Sequence, residues 1–166
     1  MKIRRRSRRK SSPKRIIRSH RTPPRPTTWD SPRGWCRLCG DPIIDGQGIQ
    51  NMRRNWHKGD YPGEPDCVSI WKVSNDPTFA REYVFTRDHG RCCDCSCLVE
   101  FKRRRKIIQF GVSFEVDHIK PLYGSDGDLS FWHPDNLKIR CKPCHLIKTR
   151  TDMIEFRELK KEAQND

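Results

Sequence analysis

The chain has 166 residues, a formal net charge of +14 from 35 Lys and Arg against 21 Asp and Glu, and only 33% hydrophobic residues. That length fits one ordinary domain, but so little apolar mass argues against a single large core and for small units held by metal. No apolar run approaches the roughly 20 residues that span a membrane. The basic start has no apolar stretch behind it of the kind a signal peptide carries. The nine cysteines, with Cys-x-x-Cys pairs beside histidines, then favour zinc thiolates in a reducing cytoplasm over disulfides.

Residues 1–29 carry twelve Lys and Arg, no acid and the run Pro23-Pro24-Arg25-Pro26, so they cannot bury a core. The other 23 cations nearly balance the 21 acids and leave +2. A disordered basic arm over residues 1–33 is therefore expected, with Arg4, Arg5, Arg6, Arg8, Arg9 and Lys10 neutralising nucleic-acid phosphates without reading sequence. A solubilising or localisation tail is the competing reading.

Residues 34–72 form the second expected unit. Trp35-Cys36-x-x-Cys39-Gly40 is a knuckle, and His57 after Trp56, with Cys67 opening a short helix through Trp71, is expected to complete a Cys3His zinc site, the competing reading being that His57 simply packs beside Trp56. Trp35, Trp56 and Trp71 are expected to form a mini-core over the metal rather than a base-stacking platform.

The third unit is expected over residues 73–166. Asp76 caps a helix that Pro77 opens and Gly90 ends, with Phe79 and Tyr83 on one face. In Cys92-Cys93-Asp94-Cys95-Ser96-Cys97 the pair with the two-residue gap is Cys92 and Cys95, and it matches Cys141-x-x-Cys144. Two such pairs make a closed tetrahedral zinc site, with exchange to Cys93 or Cys97 left open. Lys102, Arg103, Arg104, Arg105 and Lys106 follow on a hairpin, where they grip phosphate close to the metal centre.

Val116 to Ile119 ends a strand and presents Asp117 and His118 side by side, and Leu137 to Cys141 is a second strand. Pro143 suits the first turn of the helix that carries His145. Asp117 and His145 offer an oxygen and a nitrogen to one divalent ion with open positions. His118, outside that shell, is suited to take a proton from an attacking water. Asn136 donates and accepts, and so can fix the loop carrying His118. His133 is read as loop structure or a secondary DNA contact. Asp152 with Glu155 marks the start of a separate C-terminal helix over Met153 to Glu162.

Glu115-Val-Asp-His-Ile-Lys-Pro-Leu122, Asn136-Leu137 and Cys141-Lys-Pro-Cys144-His145, with Cys92-x-x-Cys95 upstream, resemble the HNH endonucleases of the ββα-metal (His-Me finger) superfamily in their cysteine-bearing branch. The resemblance covers roughly residues 77–152. It implies an α+β, zinc-stabilised nuclease core and catalytic roles for Asp117, His118, Asn136 and His145. It further implies Mg2+ or another divalent ion such as Mn2+ or Ni2+ at the catalytic centre, and DNA hydrolysis to 5′-phosphate and 3′-hydroxyl ends. Ser96 stands where the family commonly has glycine. Segments like that of the first zinc unit precede the core in some phage and bacterial members.

The expected function is thus metal-dependent DNA cleavage with two structural zincs. One such centre cuts one strand, so a double cut needs a homodimer or a second encounter. The alternatives are a nuclease subunit of a larger phage packaging or restriction assembly, and a non-catalytic zinc protein that binds nucleic acid. A binding module has no reason to keep all four of Asp117, His118, Asn136 and His145.

Overall fold

The computed structural model describes residues 22–61 and 63–165; Arg4, Arg5, Arg6, Arg8, Arg9 and Lys10 lie outside them. Its fold is α+β, with three helices and two separate two-stranded antiparallel sheets.

The first unit is mostly loop, closed by the bridges Trp35 to Pro42 and Ile44 to Gln50. Its interior is small: Cys36, Ile43 and Cys67, with Leu38 and Trp56 packed against them. The aromatic cluster differs from expectation. Trp35 is 40% exposed, and Trp29 takes its place, with ring centroids 5.8 Å from Trp56 and 5.1 Å from Trp71. Thr28 Oγ1 donates to the Arg37 carbonyl at 2.9 Å. The chain around Thr28 and Trp29 therefore packs on the first unit, although its composition reads as arm. A single large aromatic in a cationic stretch is enough to anchor it.

Helix α1 (Cys67–Asn75) starts where Asp66 accepts from the Ser69 N–H at 2.9 Å, and runs past Trp71 because Lys72 to Asn75 hold no breaker. Helix α2 (Pro77–Arg87) is capped by Asp76, which accepts from the N–H groups of Thr78 and Phe79 at 2.8 and 3.2 Å. Strands β1 (Phe101–Arg103) and β2 (Lys106–Gln109) make the basic hairpin. Its two turn residues, Arg104 and Arg105, have φ of 48° and 67°, the left-handed pair that a tight two-residue hairpin requires.

Strand β3 (Phe114–His118) pairs with β4 (Leu137–Cys141), from Phe114 opposite Cys141 to His118 opposite Leu137. Helix α3 (Lys142–Asn165) follows directly and completes a ββα unit. The separate C-terminal helix expected from Asp152 does not exist: α3 is continuous over 24 residues. Thr149 and Thr151 turn their hydroxyls back onto the carbonyls of His145 and Ile147, and Lys148 pairs with Asp152 one turn on, so polar residues that resemble a break are satisfied within the helix.

One core joins these pieces. Val73 of α1, Ala80 and Val84 of α2, Val99, Phe101, Phe114, Leu137 and Ile139 are buried together. Phe85 stacks on Phe101 at 4.2 Å, and the Arg81 guanidinium lies 3.6 Å from the centre of the Phe114 ring. Because α1 begins at a first-unit cysteine and ends in this core, and Ser74 Oγ donates to the Trp132 carbonyl at 2.9 Å, it couples the two units. Phe114 is 1% exposed, so Phe114→Ala is expected to destabilise the protein by about 3–5 kcal/mol in urea unfolding at saturating zinc. A loss under about 1 kcal/mol would mean that the core lies elsewhere.

Candidate functional site

Two groups of sulfur and nitrogen atoms converge, and in each the four ligand atoms lie within 4.8 Å of one another. The first holds Cys36, Cys39, His57 and Cys67. The Cys36 to Gly40 knuckle turns through the Gly40 N–H donating to the Cys36 carbonyl at 2.9 Å, with Gly40 at φ +84° and no room for a Cβ beside Thr28. His57 is 5% exposed, with Nε2 3.3 Å from the Pro42 carbonyl. A carbonyl only accepts, so the proton sits on Nε2 and the Nδ1 lone pair faces Cys39 Sγ at 3.4 Å and Cys67 Sγ at 3.7 Å.

The second group holds Cys92, Cys95, Cys141 and Cys144. Cys95 and Cys141 Sγ are 3.6 Å apart, and the Cys141 N–H donates to Cys92 Sγ at 3.3 Å. Neither Cys93 nor Cys97 belongs to the group. Ser96 has φ +60°, the conformation for which glycine is the usual residue, and it holds the knuckle closed through its N–H on the Cys92 carbonyl at 2.9 Å. Both donor sets fit tetrahedral zinc, whose sulfur ligands stand about 3.8 Å apart at bond lengths near 2.3 Å.

Beside the second group lies an ionic cluster centred on Asp117. Asp117 Oδ1 is 3.9 Å from His145 Nε2. Two donors at that separation can both reach one ion at about 2.1 Å. The other oxygen, Oδ2, accepts from Arg140 Nη1 at 2.6 Å and lies 3.8 Å from Lys148 Nζ. Arg140 also donates from Nε to Asp94 at 2.8 Å. Lys148, with Thr149, stands behind the Cys141 to His145 run in the sequence motif, whereas Arg140 carries no weight in the sequence reading; signals for both exist. Arg140 alternates with the buried Ile139 and Cys141 on β4, and Lys148 falls three residues after His145 on the same helical face.

Asp117 and His118 do not stand side by side. Successive strand residues point to opposite faces, and while Asp117 faces α3, His118 lines a cavity of about 450 Å³ with Val73, Arg81, Trp132 and Leu137. Burial lowers the His118 pKa from its ordinary value, Lys148 adds to the lowering, and the Asp117 charge opposes it, so the neutral imidazole is favoured. Asn136, 8% exposed, clasps the chain just after His118. Its Oδ1 accepts from the Lys120 N–H at 2.8 Å, and its Nδ2 donates to the carbonyls of Lys120 and Phe131 at 3.2 and 2.7 Å. His133 caps the turn before it, accepting from the Asp135 N–H at 3.3 Å.

On the basic hairpin, Lys102 pairs with Glu100 at 2.8 Å and Arg103 with Glu82 of α2 at 2.9 Å. Arg104, Arg105 and Lys106 make no ion pair among the described residues, and the hairpin leans on α2 rather than on Asp117.

Residues 92–151 match the family model of the HNH endonuclease. The chain carries an HNH domain. The matched stretch contains both strands of the ββα unit, the second cysteine group, Asp117, His118, Asn136 and His145, and leaves the first unit outside. No curated protein and no solved structure matches the chain. An HNH domain indicates a nuclease-type function that uses a divalent metal. No described helix is long and apolar enough to cross a membrane. Elemental analysis after dialysis is expected to find two zincs per chain, and His57→Ala should reduce this to one. One zinc in the parent protein would remove the Cys36, Cys39, His57 and Cys67 site.

Proposed function

We propose that the protein is a zinc-stabilised HNH endonuclease that hydrolyses DNA phosphodiester bonds. The observation that carries this reading is the pairing of an open oxygen and nitrogen donor set, Asp117 and His145 at 3.9 Å, with a half-buried, neutral-favoured His118 one residue away. A divalent ion bound there would withdraw charge from the scissile phosphate and the leaving 3′ oxygen. His118 takes the proton from the attacking water, on the side of the strand opposite Asp117. A phosphate laid across the end of β3 meets both faces. Asn136 fixes the chain beyond His118 and so sets where the imidazole stands. Arg140 orients Asp117 by holding Oδ2, which leaves Oδ1 turned toward His145. A non-catalytic zinc protein has no use for this arrangement.

His118→Ala should keep fold, zinc and DNA binding while losing about 100-fold or more in plasmid nicking, the range that removal of a general base commonly gives. His145→Ala should instead raise the divalent-ion concentration needed for nicking. Parental rates in His118→Ala would mean that water is activated otherwise.

The basic arm adds affinity in the same reading. Residues 1–21 contain eleven Lys and Arg and no acid. Their deletion spares Trp29 and should leave zinc content and metal-dependent cleavage intact. Each phosphate that is no longer neutralised flattens the slope of log K against log salt by about 0.9, so engagement of half these charges predicts a change of roughly five units. Any preference among DNA sequences should survive. Equal slopes with and without residues 1–21 would assign the arm to localisation or to a protein partner.

A further inference from the structure

A second cationic site lies on the first unit, outside the HNH domain. Arg37, Arg53, Arg54, Asn55, Trp56 and Lys58 line a pocket of about 250 Å³. Four of the six are cations and none is acidic. Arg54 is paired with Asp60 and faces Glu64 at 3.6 Å. Arg37, Arg53 and Lys58 make no ion pair among the described residues. One guanidinium nitrogen in this lining, Arg37 Nε, is buried without a hydrogen-bond partner, whereas Arg54 Nη1 is the atom that faces Glu64. A buried donor on a charged group is unfavourable when it is left unpaired, so Arg37 Nε beside the unpaired Arg53 and Lys58 marks a place where an acceptor belongs.

The wall is held in place by backbone. The Arg37 N–H donates to the Asn55 carbonyl at 2.9 Å and the Gly34 N–H to the Arg54 carbonyl at 2.8 Å, which ties the two cation-bearing segments together. The Arg37 guanidinium sits 5.9 Å from the centre of the Trp29 ring, and Trp56 packs on Trp29 and Trp71. The planar fork of an arginine matches the oxygens of a phosphate, and cations fixed in this way lose little freedom on binding one.

We infer that this pocket binds a phosphate of the DNA backbone remote from the scissile bond, and that the first zinc unit is a second grip on the substrate. The inference rests on the nuclease reading for its choice of DNA, and its test is independent of cleavage. The protein also carries His118→Ala, so that DNA is not consumed, and the dissociation constant for a labelled short duplex is measured across a salt series. Arg37→Gln with Arg53→Gln and Lys58→Gln should weaken binding about tenfold and flatten the salt slope by about 0.9 for each phosphate released, with two zincs retained. Arg53→Gln with Lys58→Gln, both at exposed positions, should shift the slope the same way and stands in if the triple variant fails to fold. A control removing equal charge from α3, at Arg157, Lys160 and Lys161, should change the slope less. Equal slopes in parent and pocket variants overturn the site, and an equal loss in the control overturns it in favour of net charge. Inorganic phosphate added at constant ionic strength separates the ligand source. If it raises the melting temperature through the pocket residues while the DNA slope ignores them, the site takes free phosphate and the DNA assignment fails. Absence of plasmid nicking would sink the nuclease reading and leave this measurement standing.

Discussion

The convergence of four sulfurs at the junction of β4 and α3 is the constraint on which the rest of the structure depends. Cys141 ends the strand and Cys144 sits in the first turn of the helix, while Cys92 and Cys95 come from a knuckle almost fifty residues earlier. A cation at that point fixes the angle at which α3 leaves β4, and that angle decides whether His145 reaches Asp117. The apolar core alone is too small to set it, since eight buried residues join two helices and two sheets. A structural zinc, worth on the order of 10 kcal/mol of apparent binding free energy, is large against the stability of a domain of this size.

The same junction loads the site with charge. Asp117 faces Arg140 and Lys148 before any ion is considered, and both side chains are largely shielded from water. Two cations beside one carboxylate compete for its oxygens. The geometry resolves the competition by dividing the carboxylate: Oδ2 goes to Arg140 at 2.6 Å and Oδ1 faces His145 at 3.9 Å. Lys148 lies between Asp117, at 3.8 Å, and Asp152 one turn on, so a single ammonium serves two carboxylates and ties the strand to the helix.

What the sequence made legible were features whose meaning lies in local spacing. The gap in each Cys-x-x-Cys pair, Asp76 before Pro77, and Pro143 in the first turn of α3 all translate directly into local geometry. The HNH motif itself is of this kind. What it hid were features made by tertiary contact. Trp29 reads as arm because its neighbours are cationic, and only its packing on Trp56 and Trp71 reveals it as part of the first unit's aromatic cluster. Thr149 to Asp152 resembles a break and a new cap because hydroxyl and carboxylate side chains serve both ends and middles of helices. The pocket formed by Arg37, Arg53, Arg54 and Lys58 comes from two loops brought together by backbone hydrogen bonds, and no periodicity announces it.

Arg140 connects these levels. One guanidinium donates to Asp94, inside the Cys92 to Cys97 knuckle, and to Asp117, on the strand that faces α3. The residue that orients the candidate metal-binding carboxylate is therefore positioned by the loop that wraps the four-sulfur group. Its planar fork suits two carboxylates at fixed angles, which a lysine ammonium on a flexible stem would not hold. A metal held at the sulfur group would, on leaving, release the knuckle, then Asp94, and with it the restraint on Arg140. The four-sulfur group and the Asp117 cluster are thus linked by one side chain as well as by the shared helix.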